Sequence, residues 1–244
     1  TYGLAEGQRV AWLGLNHELQ CVMLVACARL GLIFMPLNFR LAAAELNAVL
    51  QDAQPSLLVY DDLHADTAKA LTQEGHVFVL QSCPFVDLIA TSSPKHLNLP
   101  TVAADADVLF VYTSGTTGLP KGVMLTNQGM SFTPRLAAES WGMDADSVNL
   151  VAMPMFHIGG CGYGSSTMTV GGHTVLLREV NPVRIIDLIA KHKVTHTFLV
   201  PTVVQALLEV PNVKEAELGS LALLMYGAAP MGDVLLRRAM DVLG

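Results

Sequence analysis

The chain has 244 residues, enough for one large or two modest domains. Apolar residues make up 52% and charged residues only 14%, against about 25% charged in an average soluble domain, so the core is extensive or part of this surface is covered by something else. A formal net charge of −7 argues against a nucleic-acid or anionic-membrane surface, which needs clustered Lys and Arg. In chain order, the apolar run from Arg9 to Leu15 predicts a strand and Leu19 to Leu30 a buried helix. Gly31 is its left-handed cap, and Leu32 to Met35 a second short strand. Arg29, Gly31 and Pro36 break this stretch too often for a membrane span. Ala42 to Gln51 reads as an amphipathic helix. Leu57 to Tyr60 and Val77 to Leu80 read as strands around a helix from His64 to Glu74. This is the βαβα rhythm of a parallel sheet with helices on its faces.

Ser92 to Pro100 is a polar connector into the strand Val108 to Tyr112. Farther on, Gln128 to Trp141 predicts a helix that Pro134 either kinks or starts. A second series follows: strand Val148 to Ala152, strand Thr174 to Leu177, helix Val183 to Lys191, strand Thr195 to Val200. Helix Thr202 to Leu208, strand Leu221 to Tyr226 and helix Asp233 to Leu243 complete it. The expected fold is α/β in two packed α/β layers, mostly parallel sheets flanked by helices. The first subdomain is expected over 1–170, with residues 1–2 as an alternative member of the second sheet, and the second over 171–244. A change of sheet is expected near Gly171 and Gly172. Cys21, Cys27, Cys83 and Cys161 show no C-x-x-C pair and no zinc spacing, so they read as reduced, buried thiols. With no secretion signal at the first residue, the cytoplasm is the expected location.

Most of the chemistry is concentrated in Tyr112 to Val123, which reads Y-T-S-G-T-T-G-L-P-K-G-V. Glycines permit φ > 0 and close backbone approach, so the N–H groups and hydroxyls of this loop can turn toward an anion. Lys121 adds a point charge suited to a phosphate. Leu119 and Pro120 separate Gly118 from Lys121, so this is not a Walker loop. Val123 to Leu125 is apolar again, which favours strand–loop–strand over strand–loop–helix.

This run resembles the signature loop of the adenylate-forming (AMP-binding) enzymes, and the likeness extends along the chain. Gly7 to Leu13 is similar to that family's G-D-R-V-A strand, and Pro36 to Arg40 to its P-L-N-x-R turn. Met153 to Gly160, M-P-M-F-H-I-G-G, resembles its P-x-F-H-x-x-G segment, and Tyr226 to Met231, Y-G-A-A-P-M, its G-A-A-P segment. The resemblance implies an ATP-dependent carboxylate–CoA ligase of the acyl-CoA synthetase branch, most similar to fatty acyl-CoA synthetases, that uses ATP, Mg2+ and CoA and acts on a small-molecule carboxylic acid through an acyl-adenylate with release of pyrophosphate. Thr113, Ser114, Gly115, Thr116, Thr117, Gly118 and Lys121 would hold the β- and γ-phosphates. His157 would donate to the carboxylate or the α-phosphate, with a core histidine bonded to a backbone carbonyl as the bland alternative. Phe156 would gate the pocket or simply pack, and Tyr226, Gly227, Ala228, Ala229 and Pro230 would flank the adenine.

The family's Mg2+-binding Glu, its ribose-binding Asp and the Lys of its small C-terminal domain find no counterpart in this sequence. The expectation is therefore a large-domain portion, incomplete at its C-terminal end and unable to adenylate alone, with no metal ligand of its own. Other parts of the same enzyme are expected to cover exposed apolar surface, and a homodimer is compatible with it. Three other readings stay open: an aryl-acid CoA ligase, a stand-alone adenylation domain, and a non-catalytic nucleotide-binding module.

Overall fold

Two parallel-rich sheets carry the chain, and their strands are the apolar runs of the sequence. The computed structural model describes residues 3–71, 78–92, 99–113 and 120–244, without the side chains of residues 78–80 and 83. The pair Thr1 and Tyr2 lies outside the described residues, as do 72–77, 93–98 and 114–119. Two compact units result, 1–131 and 132–244.

The first unit contains β1 (Arg9–Leu13), α1 (Glu18–Leu30), β2 (Ile33–Leu37), α2 (Ala43–Ala53) and β3 (Leu57–Tyr60). A 3-10 turn and α3 (Ala65–Leu71) follow, then β4 (Phe78–Gln81), α4 (Ser82–Thr91), β5 (Asp107–Thr113), β6 (Lys121–Thr126) and α5 (Asn127–Ser131). Strand order is β4-β3-β1-β2-β5-β6, parallel except for β6, which runs antiparallel to β5. β2 is buried at every position, as expected of a strand covered on both faces. Ala11, Leu13, Met35, Leu37, Leu46 and Leu58 form the core on one side. α1 begins at His17, whose Nδ1 accepts from Leu19 N–H at 3.1 Å while Gln20 Oε1 accepts from His17 N–H at 3.0 Å. It ends at Gly31 with φ 68°, the left-handed cap the sequence predicts.

Cys21 and Cys27 are buried in α1 and carry free thiols. Burial, with a smaller push from Glu18, raises the Cys21 thiol from 9.0 to about 11, and burial raises Cys27 to about 12. Both are acids whose folded pKa exceeds the unfolded one. Their contribution to stability is therefore full below the unfolded value and is lost as pH rises through the folded values. The urea midpoint is expected to fall between about pH 9 and about pH 11. The Cys21→Ala, Cys27→Ala double variant should fall less over the same window; equal slopes would remove the thiols as the cause.

The second unit contains α6 (Thr133–Arg135), a π-helical turn at Leu136–Ser140, β7 (Val148–Val151), α7 (Ile158–Thr169) and β8 (His173–Leu176). It continues with α8 (Pro182–His192), β9 (His196–Leu199), α9 (Pro201–Leu208), β10 (Leu223–Tyr226) and α10 (Asp233–Leu243). The sheet order is β10-β9-β7-β8, with each pair parallel. Because β7 bonds to β8 and β9, the sheet changes between β6 and β7 rather than near Gly171 and Gly172, which only turn the chain from α7 into β8. The single helix expected from Gln128 to Trp141 is instead three short pieces, with Pro134 in the first turn of α6, where its missing N–H costs nothing. Leu150, Ile185, Ile189, Leu199, Val204 and Leu207 fill the core between this sheet and α8 and α9.

Two buried histidine and asparagine positions sit side by side in register on this sheet. His196 satisfies both ring nitrogens, against Trp141 O at 2.9 Å and Thr195 Oγ1 at 2.7 Å. Its neighbour Asn149 is fully buried, and its amide finds no partner among the described residues.

Candidate functional site

The antiparallel pairing of β5 with β6 fixes the two ends of the candidate phosphate loop. Thr113 is the register partner of Lys121, and Tyr112 of Gly122. This is the strand–loop–strand that the apolar runs on both sides predict. Thr113 and Lys121 are both exposed, with Thr113 Oγ1 donating to Lys121 O at 3.5 Å. Ser114, Gly115, Thr116, Thr117 and Gly118, the body of the predicted cradle, lie outside the described residues. Under the loop's base, Tyr112 donates its hydroxyl to Asp52 Oδ2 at 2.6 Å. Burial first, then that carboxylate, pushes the Tyr112 phenol well above its ordinary value, so it stays a donor. A Cβ at position 122 would stand 3.0 Å from Tyr112 Cζ, so Gly122 leaves room for this ring. Tyr112 is thus an anchor that its place in an apolar strand does not reveal.

In the second unit the residues after β7 enter α7 sharply. His157 is the extended N-cap, φ −115° and ψ 154°, and its carbonyl accepts from Gly160 N–H and Cys161 N–H, both at 2.9 Å. His157 N–H in turn donates to Pro154 O at 3.1 Å. The imidazole is exposed and does not cap the helix, so this is not the core histidine of the bland alternative. Phe156 is buried at 3% exposure, its ring centroid 4.4 Å from the His157 ring and tilted by 56°.

α7 itself is rich in glycine, a poor helix former. Contact explains the choice. A Cβ on Gly160 would sit 2.2 Å from Pro154 O, one on Gly164 2.9 Å from Val151 Cγ2, and one on Gly159 2.8 Å from Phe198 Cε1. These positions let the helix lie against the sheet. Phe198, on β9, also faces the other predicted segment, since a Cβ on Gly227 would meet its ring at 3.1 Å. The sheet therefore brings the His157 to Gly160 turn and Gly227 together around one aromatic ring. Both turns leave the carboxyl ends of parallel strands, where ligands of open α/β sheets bind.

Tyr226 ends β10 and is 42% exposed, while Ala228, Ala229 and Pro230 lie open to solvent. Ala228 holds φ 66°. For a non-glycine residue that left-handed conformation costs about 1–2 kcal/mol, and such strain tends to persist at binding turns. Neither Phe198 nor the Ala228 backbone announces itself in the sequence, since one reads as a plain strand residue and the other as a small turn residue. Among the described residues no three His, Cys, Asp or Glu side chains converge as a metal site would require. No described helix is long and apolar enough to cross a membrane.

A sequence model of the family described as AMP-binding enzyme matches residues 1–244. Feruloyl-CoA synthase of an Amycolatopsis species is 35% identical over 240 residues, an alignment covering 98% of this chain and 48% of that protein. The fatty acid–acyl-carrier-protein ligase ScoC of Streptomyces coeruleorubidus is 32% identical over 254 residues, covering 99% and 47%. The crystal structure of ATP-bound MatB from Rhodopseudomonas palustris matches with a TM-score of 0.87 at 28% identity, over 99% of this chain and 48% of that one. The chain spans about half the length of the relatives it matches.

Proposed function

Since this chain belongs to the AMP-binding enzyme family, we propose that it supplies the pyrophosphate-binding loop and part of the carboxylate site of an ATP-dependent acid–CoA ligase. The observation that carries this reading is the meeting of the His157 turn and Gly227 around Phe198 at the carboxyl edge of one sheet. In the first half-reaction a carboxylate oxygen bonds to the α-phosphorus of ATP and the bond to pyrophosphate breaks. In the second, the CoA thiolate attacks the acyl carbon and AMP leaves. Two anions must meet in line, so electrostatic positioning matters most.

Lys121 and Thr113, with Ser114 to Gly118 between them, take the β- and γ-phosphates. His157 donates to the carboxylate or α-phosphate and screens one anion from the other, and Tyr226 to Pro230 lie along the adenine. Phe156, buried against the imidazole, orients it. Mg2+ neutralises phosphate charge in such chemistry; among the described residues no three His, Cys, Asp or Glu side chains converge, and no step is assigned to it. A fatty acid is the first choice of substrate, in keeping with ScoC being named a fatty acid ligase. An aryl acid is the second, favoured by the name of the feruloyl-CoA synthase.

The buried cysteines Cys21, Cys27 and Cys161, none of them in a disulfide, suit a reducing cytoplasm. Val22, Val25 and Leu30 of α1 and Val123 and Met124 of β6 are exposed; the remainder of the same protein, or a second copy, would cover them.

Acid-dependent ATP–pyrophosphate exchange by the full-length protein, over acids from hexanoate to palmitate and including ferulate, tests the reading. Exchange with at least one acid is expected, and none with any would sink it. Lys121→Ala should lower exchange at least about 10-fold, less than a buried donor would because water partly replaces an exposed ammonium. Lys121→Arg should retain most of it.

A further inference from the structure

We propose that Asp52 is a positioning residue for the nucleotide: its carboxylate holds the Tyr112 hydroxyl and so fixes the strand ends that present Thr113 and Lys121 to the phosphates. This rests on the ligase reading above and adds a residue that lies outside every motif of the site.

Asp52 lies in the last turn of α2, 60 residues from Tyr112 in the chain, and accepts from its hydroxyl at 2.6 Å. Tyr112 directly precedes Thr113, and its register partner Gly122 directly follows Lys121. The tyrosine therefore sits one residue behind both ends of the loop. Arg9 of β1 grips the end of the same helix, with Nε donating to Ala53 O at 2.6 Å and Nη2 to Gln54 O at 2.8 Å. Two strands of one sheet thus clamp a single helix end, and the Tyr112 bond carries that clamp to the loop.

Neither local preference nor packing accounts for this pair. A carboxylate at the carboxyl end of a helix faces the negative end of the macrodipole, and the last turn of α2 holds no basic side chain to offset it. A cavity of about 300 Å³, whose walls include Asp52, Phe110, Tyr112, Gly122 and Met124, opens beside the ring. Packing leaves the ring room to turn on that side, so the bond to Asp52 is what fixes it. Such a bond is strong because its acceptor is ionised. Lys121 is exposed and carries its ammonium on a flexible stem. The place from which that charge reaches a phosphate is therefore set by its backbone, and the backbone by the ladder with β5.

The test measures KM for ATP in pyrophosphate release, and Kd for ATP by equilibrium dialysis, on the full-length protein and its variants. Tyr112→Phe and Asp52→Ala should each raise both constants about 3- to 10-fold, with KM for the acid unchanged. The double variant should be no worse than either single one, because both remove the same bond. Asp52→Asn, which keeps an acceptor oxygen, should recover most of the affinity lost in Asp52→Ala. On a Lys121→Ala background, Tyr112→Phe should move Kd for ATP by less than about 2-fold, since the bond acts through that lysine. A lowered urea midpoint with unchanged ATP affinity makes the bond a purely structural tie and overturns the proposal. An equal effect with and without Lys121 overturns it too. If no acid supports exchange, the ligase reading has failed, while Kd for ATP still decides whether Asp52 serves the nucleotide. A wild-type protein that binds no ATP overturns both.

Discussion

Substituting Gly160 by alanine should cost the second unit about 3 kcal/mol of stability, read as a lowered urea midpoint. The added methyl would stand 2.2 Å from Pro154 O, 2.5 Å from Pro154 C and 2.7 Å from Met155 Cα. All three atoms belong to the backbone that leads into the helix, so none can swing aside. Alanine would gain about 1 kcal/mol in helix propensity over glycine, too little to offset such an overlap. Gly159→Ala meets only the edge of the Phe198 ring, at 2.8 Å, and a half-buried ring can tilt. It should therefore cost less, about 1 kcal/mol. Gly219→Ala, with nothing within 4 Å of the added carbon, should stay within about 0.5 kcal/mol of wild type. The order 160, 159, 219 is the content of the prediction; a Gly160→Ala midpoint equal to that of Gly219→Ala would refute it.

The same glycines explain what the sequence hides. Strands such as Ile33–Leu37 and the helix Glu18–Leu30 were legible because local pattern and tertiary role agree there, an apolar run buried on all sides and a capped apolar helix. The hairpin around the phosphate loop was legible for a similar reason, with apolar runs on both sides of a glycine turn. α7 was not, because Gly159, Gly160, Gly162 and Gly164 lower its propensity and its formation depends on contacts with Pro154 and Val151. A helix at Ser82–Thr91 also went unread between a strand and a polar connector. At the candidate site, His157 and Gly227 stand out by the motifs around them. Phe198 meets both turns through long-range packing, and no local spacing marks it. His17 caps α1 with its imidazole, a role that no common sequence motif marks.

Loss of the His157 imidazole should reduce acid-dependent ATP–pyrophosphate exchange by about 100- to 1000-fold while leaving the urea midpoint close to wild type. The separation follows from where the residue sits. Its backbone does the structural work at the start of α7, with the carbonyl taking two N–H donors and the N–H reaching Pro154 O. Any L-residue can hold φ −115° and ψ 154°, so His157→Ala keeps those bonds. The side chain is exposed and does not cap the helix, so its removal opens no core cavity. What it takes away is a donor positioned by the buried ring of Phe156, at a point where one anion approaches another. His157→Gln, which keeps a donor amide at this position, should recover part of the exchange. If His157→Ala instead lowers stability and activity together, the imidazole belongs to the fold. If it lowers neither, the carboxylate is held elsewhere, and the meeting of the two turns around Phe198 is packing alone.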